Sequence, residues 1–233
     1  LNLLNLLTKD IIFGGSSEVA VRYIGSFESA RLSGTAFTEN ASVAAFIGTD
    51  RLSLDRVKTR VVFTADQAEI EDATGYLGGG RFTATGGALL KGLSVSNFRL
   101  SLNGDNVTVP LPKDFLTTGD ARLEISGIRG QSGDLRTTIA GRVFAKRSLY
   151  SKDIDLANLV GARREKSLSG GSTVGPPRFD LVIEGRDALV VRNNIADLTA
   201  SVSLVLTGDA DNPRLSGRIT ANNGTLFYRK DRY

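Results

Sequence analysis

The 233-residue chain contains no cysteine, histidine, methionine or tryptophan. Without cysteine there is no disulfide framework to hold a small loop-rich fold, although the redox compartment stays open. Without histidine there is no Ser-His-Asp or Cys-His constellation, and with cysteine also missing the usual zinc sites are excluded. No stretch approaches the ~20 apolar residues of a membrane span. The opening Leu1-Asn2-Leu3-Leu4-Asn5-Leu6-Leu7 is too short and too broken by asparagine for a signal-peptide core. With no methionine to initiate it, the chain is expected to be a piece of a longer protein whose anchor or targeting signal lies elsewhere.

Proline is also scarce, at 5 residues, whereas glycine is plentiful, at 26. With abundant Ser and Thr, that balance favours many short strands and turns over helices. Net charge is +4 and the basic residues spread along the whole chain. A nucleic-acid surface needs clustered Lys and Arg interleaved with aromatics, so no nucleic-acid partner is expected. The densest basic runs, Arg163-Arg164 with Lys166 and Arg229-Lys230 with Arg232, read as solvated loop charges.

Apolar residues recur at every second position wherever a pattern exists. Val19-Val21-Tyr23, Phe98-Leu100-Leu102, Leu123-Ile125, Ile139-Gly141-Val143, Leu181-Ile183, Val202-Leu204-Leu206 and Ile219-Ala221 all show it. Period two means strands with one apolar and one wet face, which fits antiparallel pairing. Gly14-Gly15, Gly78-Gly79-Gly80, Gly86-Gly87, Asn103-Gly104-Asp105, Gly208 to Pro213 and Asn222-Asn223-Gly224 read as turns. That rhythm predicts about fifteen strands.

Two stretches depart from the alternation. Residues 1–10 could be a short helix or an entering strand. Residues 148–161 have mixed apolar spacing, which predicts one short helix near 153–160, ending at Gly161. Residues 163–177 then read as an exposed mobile loop within a single domain covering 1–233. A weak repeat links Leu206-Thr-Gly208 and Leu215-Ser-Gly217 to Leu123-Glu-Ile125-Ser-Gly127 and Ile139-Ala-Gly141, with Arg31-Leu32-Ser-Gly34 a fainter copy. It has no fixed period, which disfavours a solenoid or propeller.

Gly75 to Gly86, Leu123 to Gly127, Phe179 to Glu184, Val191 to Asn194 with Ala196-Asp-Leu198, Leu206 to Gly217 and Asn223 to Leu226, in that order, resemble the TamB family of AsmA-like envelope proteins of diderm bacteria. The resemblance covers most of the chain. It implies a periplasmic segment of an inner-membrane-anchored protein that reaches the outer membrane. It further implies a long sheet curled into an open trough, linked to phospholipid transport and to assembly of outer-membrane proteins with an Omp85-type partner, TamA. Contact with that partner is expected through a segment outside these residues, and residues 163–177 match nothing typical of the family.

The residues support such a trough independently. An apolar sheet face must be covered by a second sheet, by helices, by closure or by a ligand. The chain supplies no helical layer and too many strands for a sandwich of ordinary size. Glycines at bends allow a sheet to curve, so Gly208 and Gly217 are expected to mark bends and Pro213 to sit where no ladder donor is needed. The fold class is therefore an all-β, long antiparallel sheet curled into an open trough with an apolar inner face. Phe98, Leu100, Leu102, Leu123, Ile125, Ile139, Val143, Leu181, Ile183, Val202, Leu204, Leu206, Ile219, Ala221, Leu226 and Tyr228 are expected to line it and meet phospholipid acyl chains. Small inward positions such as Ala84, Gly141 and Ala221 would leave room.

No enzyme activity, cofactor or metal is expected. Gly78-Gly-Gly-Arg-Phe lacks the Lys-Ser/Thr of a phosphate-binding loop. Asp66, Glu69, Glu71 and Asp72 read as a solvated charged face rather than a glycosidase pair. Asp209 and Asp211 with Asn212 read as an Asx turn rather than a Ca²⁺ loop. Two other classes remain open at this stage. One is a structural or adhesive extracellular β-protein with a filled core. The other is a carbohydrate-active β-helix enzyme with charges grouped on one exposed sheet.

Overall fold

The computed structural model describes residues 11–26, 29, 31–47, 50–110, 114–130, 133–153, 176–228 and 231–232. Alternating residues dictate strands, and the described chain is strands joined by turns and connections: β1 Ile11–Gly14, β2 Ser17–Ile24, β3 Arg31–Ile47, β4 Asp50–Ala65, β5 Gln67–Leu77, β6 Gly80–Lys91, β7 Ser94–Val109, β8 Phe115–Arg129, β9 Leu135–Tyr150, β10 Arg178–Arg192, β11 Ala196–Asp209, β12 Pro213–Tyr228 and β13 Asp231–Arg232. No helix occurs among the described residues. All but the first residue of the helix expected near 153–160, and most of the loop expected at 163–177, lie outside them.

All thirteen strands belong to one sheet. β1 and β2 lie end to end along the same edge of β3, opposite Ser42–Ala45 and Arg31–Thr38 respectively. They act as one interrupted strand, which with β3 to β12 makes eleven long strands. β13 adds two residues against Phe227 and Tyr228. The sheet does not close into a barrel, because its first and last strands do not pair. Every pair of elements in substantial contact is a pair of lateral neighbours, apart from β5 with β7 across β6. No second layer packs on either face among the described residues.

The expectation of a purely antiparallel sheet needs correction, since β9 and β10 are parallel, with Phe179 opposite Ile139 and Ile183 opposite Val143. A hairpin cannot join parallel strands, because the chain must first return a full strand length. Residues 151–177 supply that connection. The remaining adjacent pairs are antiparallel. The alternation also persists further than expected, because residues 148–150 complete β9.

Four of the expected turns are not reversals: Gly14-Gly15 only separates β1 from β2 on the same edge of β3, and three others lie within strands. Gly86-Gly87 lies inside β6, Asn103-Gly104-Asp105 inside β7 and Asn222-Asn223-Gly224 inside β12. In each case the strand keeps the same neighbours on both sides of the glycine. At the second and third sites the register slips instead, between Gly104 and Val107 and between Thr199 and Ala200. An extra residue in a ladder bends the strand without reversing it. Gly78-Gly79 does reverse the chain between β5 and β6, with φ of 56° and 90°. Asp209 likewise builds the expected Asx turn, its Oδ1 accepting hydrogen bonds from the backbone N–H of Asp211 and Asn212 at 3.1 and 2.8 Å.

The weak repeat acquires a period in three dimensions, counted in strands. Gly34, Gly86, Gly141 and Gly217 sit mid-strand on β3, β6, β9 and β12, with φ between 132° and 153°. Arg56, Asn106 and Asp187 take positive φ on the strands that follow the first three, β4, β7 and β10. Every third strand therefore repeats a backbone feature. Sequence spacing hides this because the connection of residues 151–177 lengthens the interval between Gly141 and Gly217.

These mid-strand glycines are required sterically. A Cβ on Gly141 would lie 2.1 Å from the Arg122 carbonyl oxygen, in a backbone conformation that L side chains rarely adopt. Gly141→Val is expected to lower unfolding free energy by about 2 kcal/mol or more, measured by urea denaturation. Gly87→Ala should cost under about 1 kcal/mol, because its φ is not in the positive region and its Cβ would meet only the Ala68 carbonyl oxygen, at 3.3 Å.

Candidate functional site

Directly opposed residues on paired strands share a face, and the register lays apolar residues into rows across the sheet. One row runs Ala84, Leu102, Leu123, Gly141, Leu181, Leu206, Leu215. The row on one side of it runs Gly86, Leu100, Ile125, Ile139, Phe179, Gly208, Pro213, and the row on the other runs Phe82, Gly104, Ala121, Val143, Ile183, Leu204, Gly217. Towards β2 the same face continues through Ala36 and Val19 and through Phe63, Gly34 and Val21. Between the apolar rows, on the opposite face, lie residues such as Thr85, Ser101, Glu124, Ala140, Asp180, Thr207 and Arg214.

The residues singled out from the sequence fall into this apolar set by register. Phe98 opposes Ala88 and Gly127, Val202 opposes Gly185 and Ile219, and Ala221 opposes Ala200. Leu226 stays on the same face because the extra residue in β12 shifts the alternation, setting it opposite Ala196. Tyr228 ends β12. Within the set only Leu181 is buried, at 9% exposure, whereas Ile219 and Leu226 on the outer strand β12 are 54% and 58% exposed, like Leu215 beside them at 59%. Ala221, on the same strand, is exposed as well, and Phe98, Leu100, Leu102, Leu123, Ile125, Ile139, Val143, Ile183, Val202, Leu204 and Leu206 are half-buried. Partial burial of this kind comes from neighbours in the same sheet rather than from a covering layer.

The buried residues are smaller, and sequence reading missed them. Val57, Val107 and Ala188 are buried and directly follow the positive-φ residues Arg56, Asn106 and Asp187. Ala121, Ala145 and Ala200 are buried beside them. Register shifts mark this line from β4 to β12, at Asp55/Lys58, Gly104/Val107, Thr118/Gly119, Gly185/Leu189 and Thr199/Ala200. A signal existed in the recurrence of Leu54-Asp-Arg-Val57, Gly104-Asp-Asn-Val107 and Gly185-Arg-Asp-Ala188. A bulge bends its strand, so a line of bulges bends the sheet along that line. Two aromatic rings lie close over bare backbone on this face: a Cβ on Gly75 would lie 2.7 Å from the Phe82 ring, and one on Gly127 2.1 Å from the Phe98 ring.

On the other face the same line carries a polar network. Asp120 Oδ1 accepts hydrogen bonds from Lys146 Nζ at 2.5 Å and from the Asn106 backbone N–H at 2.8 Å. Further along, Asn222 Nδ2 donates to Asp187 Oδ1 and to Ser201 Oγ, and Ser201 Oγ accepts from the Asp187 N–H at 3.0 Å. Polar side chains thus satisfy backbone groups that the bulges free from the ladder. The Lys146 hydrogen bond, the Asn106 N–H and the nearby positive charges of Lys146 and Arg122 hold the Asp120 carboxyl below its ordinary value of 3.8, against a smaller opposing effect of burial.

Other charges on the sheet are exposed and dispersed. Arg60 and Glu71 approach at 3.9 Å and Lys58 and Glu39 at 3.8 Å, all more than half exposed, so these pairs contribute little to stability. Asp66 occupies the β4–β5 turn, Glu69 opposes Val62 and Gly87, and Glu71 and Asp72 sit at a register shift of β5. Among the described residues no group of three or more acidic side chains could hold a metal ion. No helix among them is long and apolar enough to cross a membrane.

Against known proteins, the family model for the TamB C-terminal domain matches residues 162–232, a span that contains β10, β11 and β12. No curated protein and no solved structure gives a significant match.

The Asp120 geometry generates a pH prediction. A carboxyl whose folded value is lowered adds stability above its unfolded value and loses it as the pH falls through the folded one. In urea titrations Asp120→Asn should unfold more easily than the parent at pH 7. The gap should close as the pH drops below about 4, where the parent carboxylate protonates. A gap of constant size down to pH 2 would contradict this assignment.

Proposed function

We propose that this chain, tied to the TamB family by residues 162–232, uses its apolar sheet face as a binding surface for the acyl chains of phospholipids. The reading is non-enzymatic: the chain shelters a hydrocarbon tail, and no bond is made or broken. One observation carries it. The register of the paired strands, which sets apolar residues opposite one another on one side of a single-layer open sheet, supports it, and no second layer packs on that side among the described residues. Contiguous exposed apolar surface beyond a few hundred Å² rarely occurs without a partner.

The line of bulges supports a curved shape. Small buried residues on the apolar side, with a hydrogen-bonded polar network behind them, are what a sheet folding towards its apolar face requires. In that shape Ala121, Ala145 and Ala200 form the floor, and Leu100, Leu123, Ile125, Ile139, Leu204 and Leu206 stand on the walls. A tail lying there gains ~0.8 kcal/mol for each buried CH₂. Such a gain has no directional component, so a chain could slide along the rows without crossing a large barrier.

In the cell this reading makes the chain a periplasmic part of a bridge for phospholipid transport to the outer membrane that also supports outer-membrane protein assembly. The Omp85-type partner would engage a segment outside these residues. The competing reading, a structural or adhesive β-protein with a filled core, needs a second layer over the apolar rows, and the described residues offer none.

Charge substitutions test the reading. Ile125→Glu and Leu204→Glu should reduce binding of a fluorescent phospholipid by about tenfold or more, since an unpaired charge in an apolar site costs several kcal/mol. Thr207→Glu, on the opposite face, should leave binding within about twofold. Circular dichroism would show that each variant retains its sheet. Undiminished binding by both folded apolar-face variants would refute the proposal.

A further inference from the structure

Some exposed apolar side chains lie off the apolar face. Phe144 and Val205 sit mid-strand on the opposite face, and the others gather at strand ends. Ile24 ends β2, Leu89 is two residues short of the end of β6, Leu93 sits between β6 and β7, and Ile128 is next to last in β8. Their exposures are 59%, 40%, 51% and 68%. The antiparallel register brings all four to one margin of the sheet, where β2 leads into β3, β4 into β5, β6 into β7 and β8 into β9. Among the described residues the opposite margin has one counterpart off the apolar face, Leu116, at 53%.

The same margin collects cations. On the face opposite the apolar one, the last row before the turns runs from Arg22 on β2 through Leu89 and Ile128 to Arg136 on β9, with only neutral polar residues between them. Arg31, Lys91 and Arg129 stand beyond this row, and all five cations are exposed. Carboxylates are fewer. Asp66 occupies the β4–β5 turn, Glu69 lies one row further in, and Asp134 Oδ2 accepts from Arg136 Nε at 3.0 Å.

Hydrogen bonds hold the backbone beneath these side chains. The Leu90 N–H donates to the Asp66 carbonyl at 2.7 Å and Ser96 Oγ to the Leu89 carbonyl at 3.0 Å. Arg129 ties β8 to its neighbours, with Nε on the Val95 carbonyl at 2.8 Å and Nη1 on the Gly133 carbonyl at 2.7 Å. The aliphatic tips and the cations are therefore displayed from fixed positions.

We infer that this margin docks on the surface of a bilayer containing anionic phospholipid. Ile24, Leu89, Leu93 and Ile128 enter the interface, and Arg22, Arg31, Lys91, Arg129 and Arg136 meet its phosphates. From β2 to β9 the row crosses about 34 Å. A protein partner would have to seat these separate tips in matched, closely packed pockets along that length, whereas a headgroup layer accepts spaced side chains and supplies anions between them. A second copy placed about a two-fold axis would set the cations against themselves. Contact end-on to the strands leaves both faces of the sheet clear of the bilayer, so the inference stands whether or not the apolar face binds tails.

The chain contains no tryptophan, so an introduced one reports without background. With vesicles of phosphatidylglycerol and phosphatidylcholine in equal parts, Leu93→Trp and Ile128→Trp should shift their emission to the blue and be quenched by brominated acyl chains, whereas Leu116→Trp should do neither. In co-sedimentation with the same vesicles, Arg31→Gln combined with Lys91→Gln should weaken binding about twentyfold or more, at about fivefold for each cation. Ile125→Glu, which removes the proposed tail site, should leave this docking within about twofold. Equal binding to vesicles of phosphatidylcholine alone, a matching blue shift in Leu116→Trp, full binding by the double Gln variant, or loss of docking in Ile125→Glu would overturn the inference. No binding to either vesicle would do the same and leave the margin to a protein partner.

Discussion

A single-layer sheet has two faces and cannot bury either against itself while it stays flat and open. In this chain the register collects leucine, isoleucine, valine and phenylalanine on one face through ten consecutive strands, and the described residues place nothing over them. An apolar layer of that extent is a standing free-energy cost in water. Three remedies exist: curving the sheet so that side chains shield one another, recruiting a ligand, or joining another copy. The bulges along the strands support the first, and the proposed acyl-chain binding is the second.

The irregularities of this sheet have identifiable atoms behind them. Positive-φ residues on β4, β7 and β10 insert an extra residue into the ladder, and the small side chains that follow them are buried where the strands bend. Asp120 and Ser201 accept from the Asn106 and Asp187 backbone N–H groups at those bulges, and Asn222 Nδ2 donates to Asp187 Oδ1 and Ser201 Oγ. Mid-strand glycines on β3, β6, β9 and β12 bring neighbouring backbones closer than any side chain would allow. The repeat is thus a repeat of bending positions. Residues between those positions are free to vary provided that their alternation is kept.

Much of this was legible in the sequence. Alternation alone gave the strands and the shared face of Leu102, Leu123, Leu181 and Leu206, because a period of two needs no long-range information. Gly208 and Gly217 do take positive φ, a backbone freedom their glycine identity already announced. The bulges at Gly104 and at Asn222-Asn223 were not, since glycine and asparagine serve a bulge and a reversal equally well. Which one forms depends on whether the flanking residues pair with the same neighbours, a fact carried by other strands. The parallel β9–β10 pair was hidden likewise, because strand direction is decided by the connection and not by the strand residues. The buried alanines escaped notice because an alanine in an alternating run looks like a weak core residue, whereas here it marks where strands bend closest.

The central claim is that the apolar face is an unfilled surface with affinity for hydrocarbon tails. Native mass spectrometry of the chain, purified from diderm cells by gentle extraction, tests it most directly. The account predicts bound species with phospholipid masses at near-stoichiometric occupancy, lost when Ile125 and Leu204 are replaced by Glu. A chain that is lipid-free after gentle extraction, and that takes up no phospholipid when supplied with vesicles, would contradict it.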